Sequence, residues 1–324
     1  MSNSIARHLE KYALDESVAS ALIEILTAFP GGFNAPKDLA NRRALIQDFL
    51  QQVPLNESVS RTDRQIANHL DGHPVPIRIY RPLSGLRSDG VLFAIHGGGM
   101  VMGSIAEDDA NAARLCLELG VTVISVDYRL APEHPFPTPV EDCFSVASWI
   151  LENGSHLEVD ISQSIIYGGS AGGGLSIATA MALRDRVGRN FSALVAPYPM
   201  VDYRNSLPST HKIIDMGVWD RQANLDSWQW YLGDAQGMTS VHPYASPLHA
   251  DDLSRLPDTF IDVGTADLFL DEDFLLATRM IASGVPVEFH CYPGAYHACE
   301  LFAPDAELSR AIWRNRFEFM RKRL

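Results

Sequence analysis

The chain has 324 residues, with 26 Lys+Arg against 40 Asp+Glu, giving a formal charge of −14 at pH 7. Hydrophobic residues make up 46% and charged residues 20%, at a mean hydropathy of −0.03, the composition of a folded globular protein. The acidic balance provides no surface to neutralise phosphates, so nucleic-acid binding is not expected, and an anionic membrane would repel the chain.

The first seventy or so residues read as helical and differ in pattern from the remainder of the chain. Val18, Leu22, Ile25, Leu26 and Phe29 recur at helical spacing, and Leu39, Leu45, Ile46, Phe49 and Leu50 suggest a second amphipathic helix after Pro36. Pro30-Gly31-Gly32 breaks the two. The period then changes, because Val75, Ile77 and Ile79 alternate with Pro76, Arg78 and Tyr80 as in a strand. From residue 90 the pattern becomes strand, turn and helix in repetition. Residues 91–95, 121–126, 165–168, 194–196, 259–263 and 287–292 read as apolar strands. Residues 110–119, 140–151, 171–184, 271–283 and 306–323 read as helices. Apolar strands alternating with helices predict an α/β fold with a mostly parallel sheet covered on both faces. Between the strands near Leu194 and Phe260 lie roughly sixty residues, too many for an ordinary connection. Trp219, Trp228, Trp230 and Tyr231 in this stretch suggest a helical insertion placed over the sheet's carboxyl edge, where such sheets bind ligands.

The N-terminus lacks the basic and apolar regions of a secretory signal, and no apolar run approaches the roughly 20 residues that span a bilayer. Cys116, Cys143, Cys291 and Cys299 are scattered without a metal-type pair and read as reduced thiols. A cytoplasmic protein without a metal site is expected.

Gly168-Gly169-Ser170-Ala171-Gly172-Gly173 sits between a predicted strand and a predicted helix. This is the G-x-S-x-G pattern in the context of a nucleophile elbow, where a serine is held at the sheet edge and glycines two residues either side avoid clashes. Upstream, an apolar strand runs into His96-Gly97-Gly98-Gly99, a loop whose backbone can approach an oxyanion closely. The expected donors are the N–H groups of Gly98, Gly99 and Ala171. A serine hydroxyl needs a base and an orienting acid, which come in the order Ser, Asp/Glu, His in this fold. Asp267 and His297 each lie just beyond a predicted strand, near the edge that carries Ser170. Asp262 is the rival acid, although its place inside a strand is poor for reaching a loop histidine. Asp271 reads as a helix cap or support, and His96 as a structural member of its loop. His290 falls within a strand, and His242 and His249 within the insertion. Met100, Tyr198 and Trp219 are candidates for the substrate pocket, with Phe33, Met102 and Trp228 as further bulky apolar cap residues.

Together, His96-Gly97-Gly98-Gly99, Asp127-Tyr128-Arg129-Leu130-Ala131-Pro132-Glu133, the Ser170 elbow, Asp267 and Tyr292-Pro293-Gly294-x-x-His297 resemble the hormone-sensitive-lipase family of esterases, the bacterial family IV. The resemblance implies an α/β-hydrolase fold and cofactor-free hydrolysis of carboxylic esters. It also implies a helical cap built from residues 1–72 and an insertion at about 202–250 of a catalytic domain spanning 73–324. Two departures stand out. The family usually carries an acidic residue where Gly169 stands, so a hydrogen bond behind the elbow is expected to be missing. It also commonly reads Gly-Phe after the histidine, where this chain has Ala298-Cys299; Cys299 is read as filling space. The expected activity is hydrolysis of short- to medium-chain neutral esters through an acyl-enzyme, falling in acid as His297 protonates. The alternatives are a non-catalytic small-molecule binder on the same scaffold, or a lipase, lactonase or amidase using the same triad. The sequence leaves a homodimer open.

Overall fold

A computed structural model describes residues 2–34, 38–50, 53–233 and 241–324. Helices α1 (Ser2–Leu9), α2 (Glu16–Ala28) and α3 (Leu39–Leu50) come first, followed by an antiparallel pair of strands, β1 (Val59–Ala67) and β2 (Pro74–Pro82). The alternation then runs β3 (Val91–Ile95), α4 (Asp109–Leu119), β4 (Thr122–Val126), α5 (Thr138–Glu152), α6 (Gly154–Leu157), β5 (Ser164–Gly168), α7 (Ala171–Arg186) and β6 (Ala193–Pro197). Short α8 (Pro208–Lys212) and α9 (Arg221–Leu232) precede β7 (Asp258–Ala266), α10 (Leu270–Ala282), β8 (Val287–Tyr296), α11 (Cys299–Phe302) and α12 (Glu307–Arg321). The residues from Leu39 form the second expected helix, while Pro36, taken as the residue preceding it, lies outside the described residues.

The eight strands form one sheet in the order β1-β2-β4-β3-β5-β6-β7-β8. It is antiparallel at β1–β2 and β2–β4 and parallel from β4 to β8. Strands β3 to β6 are buried throughout, as their unbroken apolar runs require. Their side chains alternate between two cores. Val91, Phe93 and Ile95 face the larger one with α5 and α7, and Leu92 and Ala94 face the smaller one with α4 and α12.

β1 departs from the sequence expectation, which places residues 59–67 in an N-terminal helical part reaching 72. Only Val59 and Ile66 of this strand are buried, and its middle carries Arg61, Asp63, Arg64 and Gln65. A polar edge strand has no apolar alternation to read, and its charges guard an otherwise open ladder edge.

Register aligns the carboxyl ends of the central strands. Ile95 pairs with Gly168, so the loop after β3 and the elbow after β5 emerge side by side. β7 and β8 run further than their apolar cores suggest, through Gly264 paired with Tyr292 and, past a bulge, Ala266 paired with Tyr296. That last pairing puts residues 267 and 297 one step beyond a shared rung. The N-terminal helices and the insertion meet above this edge. Phe33 N–H donates to Gly217 O at 2.8 Å, Asn34 to Asp220 at 3.1 Å, and Arg42 pairs with Asp226 at 2.7 Å. No helix among the described residues is long and apolar enough to cross a membrane.

Candidate active site

Ser170 stands between β5 and α7 with φ of 58° and ψ of −124°, a conformation non-glycine residues rarely adopt and one that marks a functional constraint. The turn is held by its own backbone. Ser170 N–H donates to Pro197 O at 3.0 Å, and its carbonyl accepts from Gly173, Gly174 and Met200 at 2.9, 3.1 and 3.0 Å. The first turn of α7 packs hard on the loop after β3: a Cβ on Gly172 would fall 2.1 Å from Ile95 O and 2.8 Å from His96 O. Only glycine fits this contact, which sets the elbow against the glycine loop.

His297 Nε2 lies 3.0 Å from Ser170 Oγ, and His297 Nδ1 lies 2.9 Å from Asp267 Oδ2. A carboxylate only accepts, so Nδ1 carries the proton and Nε2 is left to accept from the serine hydroxyl. Asp267 is held in turn by Phe269 N–H, 3.0 Å from Oδ1. All three side chains are buried. The imidazole is boxed by Tyr198 and Phe269, edge to face at centroid distances of 4.8 and 5.2 Å, and by Trp219 at 6.3 Å. Such packing fixes the ring plane on which both hydrogen bonds depend.

The rivals have other partners. Asp262 receives a bidentate pair of hydrogen bonds from Arg316, at 2.7 and 2.8 Å. Asp271 accepts Ser209 N–H at 2.6 Å and ties α8 to α10. His290 lies 2.9 Å from Glu288, and His249 2.6 Å from Asp202. His96 stacks on Tyr128 at 4.2 Å, and burial lowers its pKa, so its ring is a neutral prop for the loop.

Gly98 and Gly99 have φ of 103° and 64°, and neither N–H donates to another described residue. A Cβ on Gly99 would meet Trp219 Cη2 at 2.5 Å, so the insertion lies directly on this loop. Ala171 is the first residue of α7, where helical N–H groups lack internal acceptors.

A cavity of about 190 Å³ opens onto Ser170 and His297. Tyr198 and Trp219 line it, as do Phe33 and Met102, while Ile46 and Phe49 close it from α3. Met100 departs from expectation and is absent from the wall. Its φ of 61° belongs to the turn between the glycine loop and residues beyond, and its side chain packs in the core, with Cε 3.6 Å from where a Gly174 Cβ would stand. Trp228 is likewise buried in the insertion rather than on the wall.

The sequence did not single out a buried ion group beneath the site. Arg316, on α12, pairs with Asp262 and also donates to Glu300 at 2.7 Å, and Glu300 accepts the Tyr198 hydroxyl. Burial would raise the Glu300 carboxyl, but Arg316 and the Tyr198 hydroxyl outweigh it and hold it below the usual range. A Cβ at Gly169 would lie 3.6 Å from the Tyr198 hydroxyl, the group that Glu300 engages from α11. Asp108 and Asn111 on the cavity wall were also missed.

A family model described as the alpha/beta hydrolase fold matches residues 92–301. Esterase LipI of Mycobacterium tuberculosis is 31% identical over 87% of this chain and 86% of its own length. The arylesterase of Saccharolobus solfataricus is 32% identical over 79% and 82%. Among solved structures, a bacterial heroin esterase superposes with a TM-score of 0.87 at 32% identity, covering 96% of this chain and 98% of that one. An esterase from the bacterial hormone-sensitive lipase family gives 0.83 at 29% identity, over 96% and 99%.

Proposed function

The chain belongs to the hormone-sensitive-lipase family of α/β-hydrolase esterases and is a carboxylic ester hydrolase; from that premise we propose a serine carboxylesterase with Ser170, His297 and Asp267 as its triad. The observation that carries this reading is the continuous chain of contacts from Asp267 through His297 to Ser170, at 2.9 and 3.0 Å.

His297 Nε2 takes the Ser170 proton as Oγ attacks the ester carbonyl. The N–H groups of Gly98, Gly99 and Ala171 stabilise the tetrahedral oxyanion. His297 then returns its proton to the departing alkoxide, leaving an acyl group on Ser170. A water that gives its proton to His297 attacks the acyl-enzyme, and the carboxylic acid leaves as Ser170 Oγ is reprotonated. Asp267 holds the imidazole in the working tautomer and stabilises its cation. A cavity of about 190 Å³ is small against the roughly 300–1,000 Å³ of common ligand sites and supports short- to medium-chain acyl groups. Residues 1–50 and the insertion at about 202–250 act as the cap, since Phe33, Phe49 and Trp219 close the cavity over the sheet edge.

A fluorophosphonate probe should add once, at Ser170, and Ser170→Ala should lose both the label and turnover of p-nitrophenyl acetate. Near-wild-type turnover in that variant would remove Ser170 as the nucleophile, and a wild-type chain that binds esters without turnover would favour the non-catalytic alternative. Rates across an acyl series should peak below about eight carbons if the cavity sets the limit; a maximum at long chains would overturn the preference.

A further inference from the structure

Asp108 is the N-cap residue of α4, a position where an aspartate ordinarily accepts a hydrogen bond from its own helix. Its side chain makes no such bond. The residue instead lines the cavity that holds Ser170, with its carboxylate oxygens 3.2 and 3.5 Å from the side-chain amide of Asn111 one turn along. No lysine, arginine or histidine pairs with it among the described residues. Elsewhere on the described part of that wall, burial lowers the His96 pKa and keeps Tyr167 and Tyr198 as phenols. A carboxylate set in a mostly apolar wall with one amide for company is costly unless a ligand brings the opposite charge.

We propose that Asp108 is a specificity-determining residue that selects esters bearing a cationic ammonium group, pairing with that group while the ester carbonyl lies over Ser170. The proposal rests on the serine-esterase reading of this site and narrows its substrate class. It also amends the expectation of neutral esters. The formal charge of −14 acts in the same direction, because an acidic surface concentrates cations near the cavity mouth. Burial, with Asp109 and Glu107 beside it, pushes the Asp108 carboxyl up to about 7. Tyr80 from β2, Tyr128 after β4 and Tyr167 from β5 also act on it, and burial pushes all three phenols up, while burial lowers His96 on the same wall. The preference for a cation should therefore grow as pH rises through 7, when the carboxyl ionises.

The test uses two acetates of matching shape, acetylcholine, whose quaternary ammonium keeps its charge at every pH, and its carbon analogue 3,3-dimethylbutyl acetate, followed by pH-stat titration. The wild-type ratio of kcat/KM, cation over neutral, should exceed ten at pH 8 and fall several-fold at pH 6. Asp108→Asn should lower the pH 8 ratio at least tenfold and flatten its pH dependence, whereas Asp108→Glu, which keeps the charge, should retain most of it. Fluorophosphonate labelling of Ser170 in each variant shows that the nucleophile is intact. A wild-type ratio that does not move between pH 6 and 8, or an unchanged ratio in a labelled Asp108→Asn protein, would overturn the proposal. If the wild type hydrolyses neither ester and takes no label, the serine-esterase reading itself falls.

Discussion

Replacing Arg316 with methionine would leave two buried carboxylates facing each other without their shared cation. The Arg316 side chain is 1% exposed and bridges Asp262 at 2.7 Å to Glu300 at 2.7 Å, with both acids as deeply buried. Breaking a buried ion pair from one side costs about 3–5 kcal/mol, because the surviving charge is left without compensation. Two stranded acids place this case at the upper end, tempered by their freedom to take up protons. With unfolding entropy of about 2.1 cal/mol/K per residue, or about 0.7 kcal/mol/K for 324 residues, a loss of about 4 kcal/mol lowers Tm by about 6 °C. In the wild type the Glu300 pKa is held down in the fold, so its pairing stabilises above the unfolded carboxyl pKa and is lost in acid. Burial already pushes the Asp262 carboxyl up despite Arg316, and without Arg316 both stranded carboxyls rise, so folding is penalised increasingly as pH rises above the unfolded value. The Tm gap should therefore be wider at pH 8 than at pH 5. Calorimetry of both proteins at the two pH values measures it. Adding Asp262→Asn and Glu300→Gln to Arg316→Met should recover part of the gap, since the stranded charge is then gone. A variant within about 2 °C of wild type at pH 8, or a gap indifferent to pH, would refute the reasoning.

Gly172→Ala should cut kcat about 100-fold, because its methyl group, 2.1 Å from Ile95 O, must push the glycine loop and the elbow about 1 Å apart; steady-state kinetics on labelled, folded protein check this, and an unchanged kcat would count against the proposed oxyanion site. Thiol chemistry should be confined to Cys291, since Cys116, Cys143 and Cys299 are buried and burial pushes their thiols up, Cys116 to about 12. Mass spectrometry after brief maleimide treatment of native protein should find no more than one adduct, and rapid labelling of Cys299 with loss of activity would make it a residue of the site rather than a space filler.

How much of the fold is legible in the sequence depends on the range of the interactions involved. The parallel strands announce themselves because each is buried on both faces, and five consecutive apolar residues such as Val91–Ile95 have no other use in an alternating chain. The ends of β7 and β8 read short, because Gly264 and Pro293-Gly294 look like stops. In the fold the ladder carries on past them through a bulge, and it is this extension that sets Asp267 and His297 one step beyond the shared rung of Ala266 and Tyr296. β1 is hidden for the opposite reason, since its partner supplies the backbone bonds and most of its side chains between Val59 and Ile66 face water.

The two halves of the site differ in the same way. The elbow, the glycine loop and the two loop residues are local devices, in which a backbone constraint and a reactive group lie within a few residues of each other. Met100 shows how narrow that signal is, because a single positive φ turns a bulky residue beside the glycine loop into the core. The group under His297 has no local signature at all. Tyr198 and Glu300 are 102 positions apart, and Asp262 and Arg316 are 54 apart. Only Glu300, an acid in the otherwise apolar run Ala298-Cys299-Glu300-Leu301-Phe302, could have raised suspicion. Gly169 looks like a loss when read alone, because an acid is expected there. An acid at 169 would approach the Tyr198 hydroxyl from the elbow, where Glu300 approaches it from α11, and one phenol next to one arginine has no need of both. A third carboxylate there would raise the negative charge around Arg316 without a second cation to balance it. Gly169 therefore leaves Glu300 as the acid that engages the Tyr198 hydroxyl.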